Sequence, residues 1–124
     1  MKDDKIFELA DAQERFADIV WANEPIASGD LVDICRKELN WKKSTTYTVL
    51  RKLCEKNLLQ NISGVVQSLV SREEYYSTKS RQVVDASYAG SLPAFIAAFA
   101  FDKKLTMNEI NEIQRMIDEF KREV

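Results

Sequence analysis

Turn-forming residues divide the first part of the chain into three helical stretches and two short β-type stretches, and this order limits the possible folds more than any other feature. The segment Asn23-Glu24-Pro25 ends the first stretch, because proline cannot continue the backbone hydrogen bonds of a helix. Asn40 and Asn57 can adopt the left-handed conformation that ends the second and third stretches. Ser63-Gly64 lies between two apolar runs, as the tight turn of a hairpin does. The predicted order is therefore helix, helix, helix, hairpin, with a brief extended link after Pro25.

The expected helix starts are residues whose side chains can bind free backbone N–H groups. Asp11 and Glu14 have the spacing of a capping box, in which each side chain binds a backbone N–H at the start of the helix. Ser28 and Ser44 are the expected N-caps of the second and third helices. Two further capping-box pairs precede later helices: Ser71 with Glu74, and Thr106 with Glu109.

The sequence pattern changes at about residues 70–72, where the predicted hairpin ends and only helices are expected to follow. A long helix that stops at Gly90 is expected next, followed by a short apolar helix with Pro93 in its first turn and by a C-terminal helix. The predicted fold class is mostly α with a small β-hairpin. We expect two domains, formed by residues 1–70 and residues 71–124.

Composition excludes several classes of function. With 31% charged residues and no apolar run of the roughly 18 residues that a membrane span needs, the chain is not expected in a membrane. The start, Met1-Lys2-Asp3-Asp4-Lys5, is not followed by an apolar stretch of signal-peptide length, so we expect a cytoplasmic protein. Histidine, the commonest general base and zinc ligand, is absent. We therefore expect no enzyme, no catalytic residues, no metal and no cofactor, and interpret Cys35 and Cys54 as core thiols rather than redox or metal-binding groups.

The net charge of −2 conceals a separation of charge along the chain. Residues 1–35 carry 3 basic and 9 acidic side chains, whereas residues 36–57 carry 7 basic and 2 acidic ones, a net of +5. A short basic segment of this kind can hold a phosphate backbone without making the whole protein a polycation. The alternative is an ordinary solvated helix face.

The third helix combines an apolar face with a face rich in hydrogen-bonding groups. At about 100° per residue, the apolar side holds Thr46, Val49, Leu50 and Leu53. A helix that binds in the DNA major groove needs this arrangement, with polar side chains toward the bases and basic ones toward the phosphates. The candidate base-reading residues are Ser44, Tyr47, Thr48 and Arg51. The candidate phosphate-binding residues are Lys42, Lys43, Thr45 and Lys52. A surface helix without a ligand is the alternative.

The C-terminal helices contain more apolar residues than they can bury among themselves. In the last helix these residues recur at three- and four-residue steps, which is typical of a helix that packs along a partner helix. We therefore expect a homodimer, because a symmetric partner would cover the remaining apolar surface. The expected dimer interface consists of Leu92, Phe95, Ile96, Phe99, Ile110, Ile113, Met116, Ile117 and Phe120. An ordinary monomeric core is the alternative.

Residues 41–59, with the sequence W-K-K-S-T-T-Y-T-V-L-R-K-L-C-E-K-N-L-L, resemble the recognition-helix signature of the penicillinase repressor (BlaI/MecI/CopY) family. Other blocks similar to the family occur in the family's order between about residues 8 and 120. They are residues 9–21, residues 69–75, residues 90–95 and residues 105–110. The resemblance implies a winged helix-turn-helix domain and a C-terminal helical dimerisation domain. It also implies a bacterial transcriptional repressor that binds palindromic operator DNA as a homodimer, through the helix at about residues 44–56.

Two departures from the family pattern concern DNA affinity and control. The hairpin is shorter than is usual in the family, and residues 61–67 carry no charge, which favours a winged-helix interaction module with weak or lost DNA binding as the alternative function. Family members induced by β-lactams are cut by a membrane sensor protease at an Asn-Phe bond, and copper-responsive members have C-terminal Cys-x-Cys motifs. This chain has neither motif. The resemblance therefore implies an unidentified sensor or protease as a further partner, but neither known trigger.

Overall fold

The computed structural model of the chain describes residues 8–124. The elements are α1 (Asp11–Asn23), β1 (Ile26–Ala27), α2 (Ser28–Leu39), α3 (Lys43–Glu55), β2 (Leu59–Ile62), β3 (Val65–Ser68), α4 (Arg72–Tyr88), α5 (Leu92–Asp102) and α6 (Met107–Glu123). Residues 1–7, which include the start of the predicted first domain and the segment on which the cytoplasmic location was predicted, lie outside the described residues. The predicted fold class, mostly α with a small β-hairpin, is confirmed.

The sheet has three antiparallel strands in the order β1-β3-β2. β2 and β3 form the predicted hairpin, in which Ile62 pairs with Val65 next to the turn. β1 was predicted only as an extended link, because a stretch of two residues is too short to show the alternating pattern of a strand. β1 becomes a strand through its pairing with β3, in which Ile26 lies opposite Val66. Ile26 and Val66 are both buried, so this pairing attaches the hairpin to the core.

The predicted turns are confirmed. Asn40 (φ 58°) and Asn57 (φ 64°) have the left-handed conformation directly after α2 and α3. Ser63 (φ 53°) and Gly64 (φ 83°) both have positive φ, as the central residues of a type I′ hairpin turn require. The stop after α4 comes slightly earlier than expected, because Ala89 (φ 51°) already leaves the helix before Gly90. Glycine and asparagine tolerate this conformation at low cost, which is why the sequence predicts the turns at Asn40, Asn57 and Gly64.

Three predicted N-caps are wrong, since Asp11, Ser28 and Ser44 lie inside the first turn of their helices. The residues at the N-cap positions are Ala10, Ala27 and Lys42. At α2 the cause is the sheet: Ala27 is held extended by its pairing with Val65, and the Ser28 N–H donates to the Gly64 carbonyl at 2.8 Å. The strand therefore fixes where α2 begins, and no side-chain cap is needed.

Two predicted capping boxes are confirmed at the helices that follow the sheet. The Ser71 N–H donates to Glu74 Oε1 at 3.0 Å, and the Glu74 N–H donates to Ser71 Oγ at 3.1 Å. Thr106 and Glu109 make the same reciprocal bonds at 2.8 and 3.1 Å. Each pair satisfies two backbone donors that the first turn of a helix leaves free. α4 and α6 therefore begin where the sequence predicts.

The chain forms two compact units, one ending at Gln82 and the other comprising Val83–Val124. The expected domain boundary after residue 70 stays a prediction. In the first unit α1, α2, α3 and the sheet enclose one hydrophobic core, to which α4 contributes the buried Tyr75. Phe16 is fully buried in this core and stacks on Trp41 with ring centroids 5.9 Å apart.

Carboxylates of α1 hold the first turns of α4. Glu14 accepts a hydrogen bond from Tyr75 Oη at 2.8 Å and forms an ion pair with Lys79. Asp18 accepts bonds from Tyr76 Oη and Arg72 Nε at 3.0 and 3.2 Å. Burial raises the pKa of Glu14, but the Lys79 and Tyr75 hydrogen bonds and the Lys79 charge together leave it below its ordinary value. Burial and the bond to Asp18 raise the pKa of Tyr76 to about 12.

We expect Glu14→Gln to lower the unfolding free energy of the first unit by about 1–2 kcal/mol at pH 7, because hydrogen bonds to a charged carboxylate are stronger than neutral ones. The loss stays within this range because Lys79 is partly exposed, which weakens its ion pair with Glu14. Because the pKa of Glu14 is lowered on folding, its contribution is present above about pH 4.5 and is lost as the pH falls below that value. Urea unfolding followed by tryptophan fluorescence measures this, since both tryptophans, Trp21 and Trp41, lie in the first unit. The difference between the variant and the original chain should shrink toward pH 3.

Glu73→Gln is the matched control, because Glu73 is an exposed carboxylate in the first turn of α4, the helix that Glu14 contacts. A difference that stays constant from pH 7 to 3, or a control variant that behaves like Glu14→Gln, would contradict the assigned role of Glu14.

The second unit contains the end of α4 together with α5 and α6. No residue of α5 or α6, both of which the structure describes in full, is buried in the single chain. Ser91 caps α5 by accepting a hydrogen bond from the Ala94 N–H at 3.1 Å, and Pro93 lies in the first turn as expected. Among residues 8–124 no single helix is long and apolar enough to cross a membrane, and α4 and α5 meet those criteria only as a bent pair.

Candidate nucleic-acid interface

α3 buries one side in the first unit and leaves the other in solvent. Of the four residues that helical spacing assigns to this side, Thr46, Leu50 and Leu53 are buried, and Val49 is half-buried. This side packs against α2 and β2. Because the core fixes the rotation of α3 about its axis, the polar side chains on the opposite face have a fixed direction outward.

The start of α3 is electropositive. α3 begins at Lys43, one residue before the predicted start at Ser44. Among the described residues, no side chain caps α3 with a hydrogen bond. The first turn of α3 also contains no acidic residue. The free N–H groups of the first turn carry partial positive charge, to which Lys42 and Lys43 add two full charges. This end of the helix can therefore attract a phosphate group.

The four candidate base-reading residues differ in their surroundings. Ser44 and Arg51 are exposed, and Thr48 is half-buried. Arg51 Nε lies 4.0 Å from Glu55 Oε2, but both side chains are about two-thirds exposed (66% and 68%). Such an exposed pair contributes about 0–1 kcal/mol, so Arg51 can exchange Glu55 for another partner. Tyr47 is half-buried, and its hydroxyl donates to Ser28 Oγ at 3.1 Å.

The four candidate phosphate-binding residues, Lys42, Lys43, Thr45 and Lys52, are all exposed. Two other basic residues of the basic segment formed by residues 36–57 have partners within the chain. The Lys56 ammonium donates to the Glu8 carbonyl at 2.9 Å, and Arg36 pairs with Asp33 at 3.2 Å. The positive charge that faces solvent along α3 therefore comes mainly from its start and from Arg51 and Lys52.

The hairpin presents a neutral surface beside α3. Asn61, Ile62, Ser63, Val65 and Gln67 are exposed. Among the described residues up to Gln82, the exposed large hydrophobic side chains are Ile62, Val65 and Leu69, all on the hairpin or directly after it. A surface of this kind has no cation for a phosphate, but its amides, hydroxyls and apolar side chains can contact other groups.

A groove runs between α3 and β2. It is lined by Tyr47, Leu50, Arg51, Cys54 and Asn61. Asn61 was not predicted as a site residue, because only the sheet register brings it next to α3. The groove places one charged side chain, Arg51, and one amide, Asn61, along the same opening.

The two cysteines have different surroundings. Cys35 is buried, Cys54 is half-buried, and both are free thiols. Burial raises the pKa of Cys35, with a partial offset from the Thr46 hydroxyl. Burial and the nearby Glu55 carboxylate raise the pKa of Cys54. Both thiols are therefore held in the less reactive protonated form. No cluster of three or more metal-binding side chains occurs within residues 8–124.

The predicted dimer-interface residues lie in α5 and α6 and are largely solvent-accessible in the single chain. Phe95 and Ile113 are half-buried, and the others are exposed: Leu92, Ile96, Phe99, Ile110, Met116, Ile117 and Phe120. Phe95, Phe99, Ile113 and Met116 line part of an apolar groove of about 280 Å³, which Glu109 and Glu112 also border. Phe101 and Met107 are also exposed, at 86% and 68%. Neither residue belongs to the predicted interface.

Comparison with known proteins gives a match over most of the chain. The model of the penicillinase repressor family matches residues 9–119. A penicillinase repressor of Bacillus licheniformis is 24% identical to this chain over 121 residues, and the alignment covers 94% of this chain and 94% of that protein.

Proposed function

The chain belongs to the penicillinase repressor family, which is a family of transcriptional repressors rather than of enzymes, and from this premise we propose that it binds palindromic operator DNA as a homodimer through α3. The observation that carries the proposal is the exposed polar and basic face of α3, whose opposite face is buried in the core. Blocking access to a promoter requires no chemical step, so the proposal needs no catalytic group or cofactor.

In this proposal Ser44, Thr48 and Arg51 contact the bases. Hydroxyl groups can donate or accept hydrogen bonds at base edges, and an arginine can bind the two acceptors of a guanine in the major groove. Lys42, Lys43, Thr45 and Lys52 contact the phosphates on either side, which fixes the position of α3 but carries no base preference.

The homodimer of the proposal rests on α5 and α6. Soluble monomers rarely expose large contiguous apolar patches, and a second copy of the chain would cover the exposed apolar side chains of both helices. Two copies related by a twofold axis would present two α3 helices to two half-sites of a palindrome. The chain itself would act in the cytoplasm, and an unidentified sensor or protease would supply the signal that releases the DNA.

A mobility-shift titration with the DNA upstream of the chain's own gene tests the proposal. We expect a shifted complex at low salt that weakens steeply as salt is added, because phosphate contacts release bound counterions. A folded dimer that gives no shift at low salt would contradict it.

A second candidate function is a winged-helix interaction module that does not depend on DNA. The neutral hairpin, with Ile62, Val65 and Leu69 exposed, is the observation that favours it. The same titration separates the two candidates, because an interaction module shows at most a weak shift that does not depend on the DNA sequence.

A further inference from the structure

Tyr47 is tied to a neighbouring helix. Its ring packs against the hydrophobic core of the first unit, and its hydroxyl donates to Ser28 Oγ at 3.1 Å. Of the candidate base-reading side chains, it is the one with a hydrogen bond to another element, whereas Arg51 pairs within α3. Before the Tyr47 hydroxyl could donate to a base acceptor, it would have to break its bond to Ser28, which costs part of the binding energy.

Ser28 also holds the turn of the hairpin. Its backbone N–H donates to the Gly64 carbonyl at 2.8 Å, at the point where β1 leaves its pairing with β3. Ser63 and Gly64 both have positive φ, so the turn has one defined backbone shape. Ser28 is therefore bonded to α3 by its side chain and to the hairpin turn by its backbone.

Tyr47, whose hydroxyl makes the first of these bonds, also lines the groove between α3 and β2. Tyr47 and Arg51 line one wall of this groove, and Asn61 lines the other. We propose that Tyr47 is a positioning residue, which holds the hairpin turn against α3 through Ser28, and that it does not read a base. For its effect on DNA binding, the inference rests on the proposed function.

Amide hydrogen exchange tests the link without any DNA. Tyr47→Phe keeps the ring in the core and removes the hydroxyl, and Ser28→Ala removes the acceptor but keeps the backbone N–H. Each variant should make the amide of residue 28 exchange about twofold to tenfold faster, corrected for intrinsic rate, since one hydrogen bond is lost. Tyr76→Phe is the matched control, because its hydroxyl bonds to Asp18 on α1 instead. Exchange of residue 28 that is equal in Tyr47→Phe and in the control would overturn the inference.

DNA binding tests the positioning role. With the upstream fragment and a set of its single-base substitutions, Tyr47→Phe and Ser28→Ala should each weaken binding about twofold to tenfold for all fragments alike. The double variant should be no weaker than either single variant, because both remove the same bond. Loss of discrimination at one base position in Tyr47→Phe but not in Ser28→Ala would show base reading and overturn the inference. If the original chain binds no DNA, the proposed function fails, and the exchange measurement alone decides the link.

Discussion

Replacing Arg51 with alanine is expected to weaken operator binding by about 1–3 kcal/mol and to relax base preference at one position of each half-site. Arg51 is exposed on the outward face of α3, and its pair with Glu55, at 4.0 Å between two exposed side chains, is too weak to hold it away from DNA. The loss of two directed hydrogen bonds to one base causes both effects. Fluorescence anisotropy with the upstream DNA and its single-base variants measures affinity and preference together.

Lys43→Ala is the matched comparison, because Lys43 belongs to the same helix but is assigned to a phosphate. It should weaken binding to all sequences alike and reduce the slope of log affinity against log salt by about 1. If the two variants have equal effects on base preference and on salt dependence, the separate roles assigned to Arg51 and Lys43 are wrong.

Replacing Phe120 with glutamate is expected to convert the proposed homodimer into a monomer. Phe120 is 55% exposed in the single chain, so the variant should still fold. In the dimer, the new carboxylate would be buried without a partner in both copies, which costs at least about 3 kcal/mol and raises the dissociation constant of the dimer more than a hundredfold. Sedimentation at micromolar concentration should show the dimer for the original chain and the monomer for the variant. The affinity for the operator should also fall in the variant, because a monomer contacts only one half-site of the palindrome.

Asn111→Glu provides the control, since it adds the same charge to α6 on the side away from the predicted seam. This variant should remain dimeric. A Phe120→Glu variant that stays dimeric, or an original chain that is monomeric at micromolar concentration, would contradict the interface assigned to α5 and α6.

Local conformational preference made most of the fold predictable. Asn40, Asn57 and Ser63-Gly64 have the conformations that their residue types favour, so the order of three helices and a hairpin follows from the sequence. The capping boxes at Ser71 and Thr106 are equally local, because each involves residues three positions apart. Features that depend on distant partners were missed. β1 exists only because Ile26 and Ala27 meet β3, and that pairing shifts the start of α2 away from the predicted cap.

In the candidate site, too, local spacing predicts some features, whereas others depend on distant parts of the chain. Helical periodicity predicts which side of α3 is buried, since that depends only on spacing along the helix. Periodicity does not reveal that Tyr47 bonds to Ser28, 19 residues earlier, or that Lys56 donates to the Glu8 carbonyl, 48 residues earlier. Asn61 likewise reaches the groove beside Arg51 only through the register of the sheet. Long-range contacts therefore decide which polar residues are available for the proposed contacts to DNA.

Footprinting on the DNA upstream of the chain's own gene tests most directly the proposal that α3 binds an operator in two copies. We expect two protected half-sites that are related by a twofold axis and separated by a whole number of DNA turns of about 10 base pairs. Both should be lost together in Arg51→Ala at the same protein concentration. A folded dimer that protects no sequence, or whose protection is unchanged by Arg51→Ala, would contradict it.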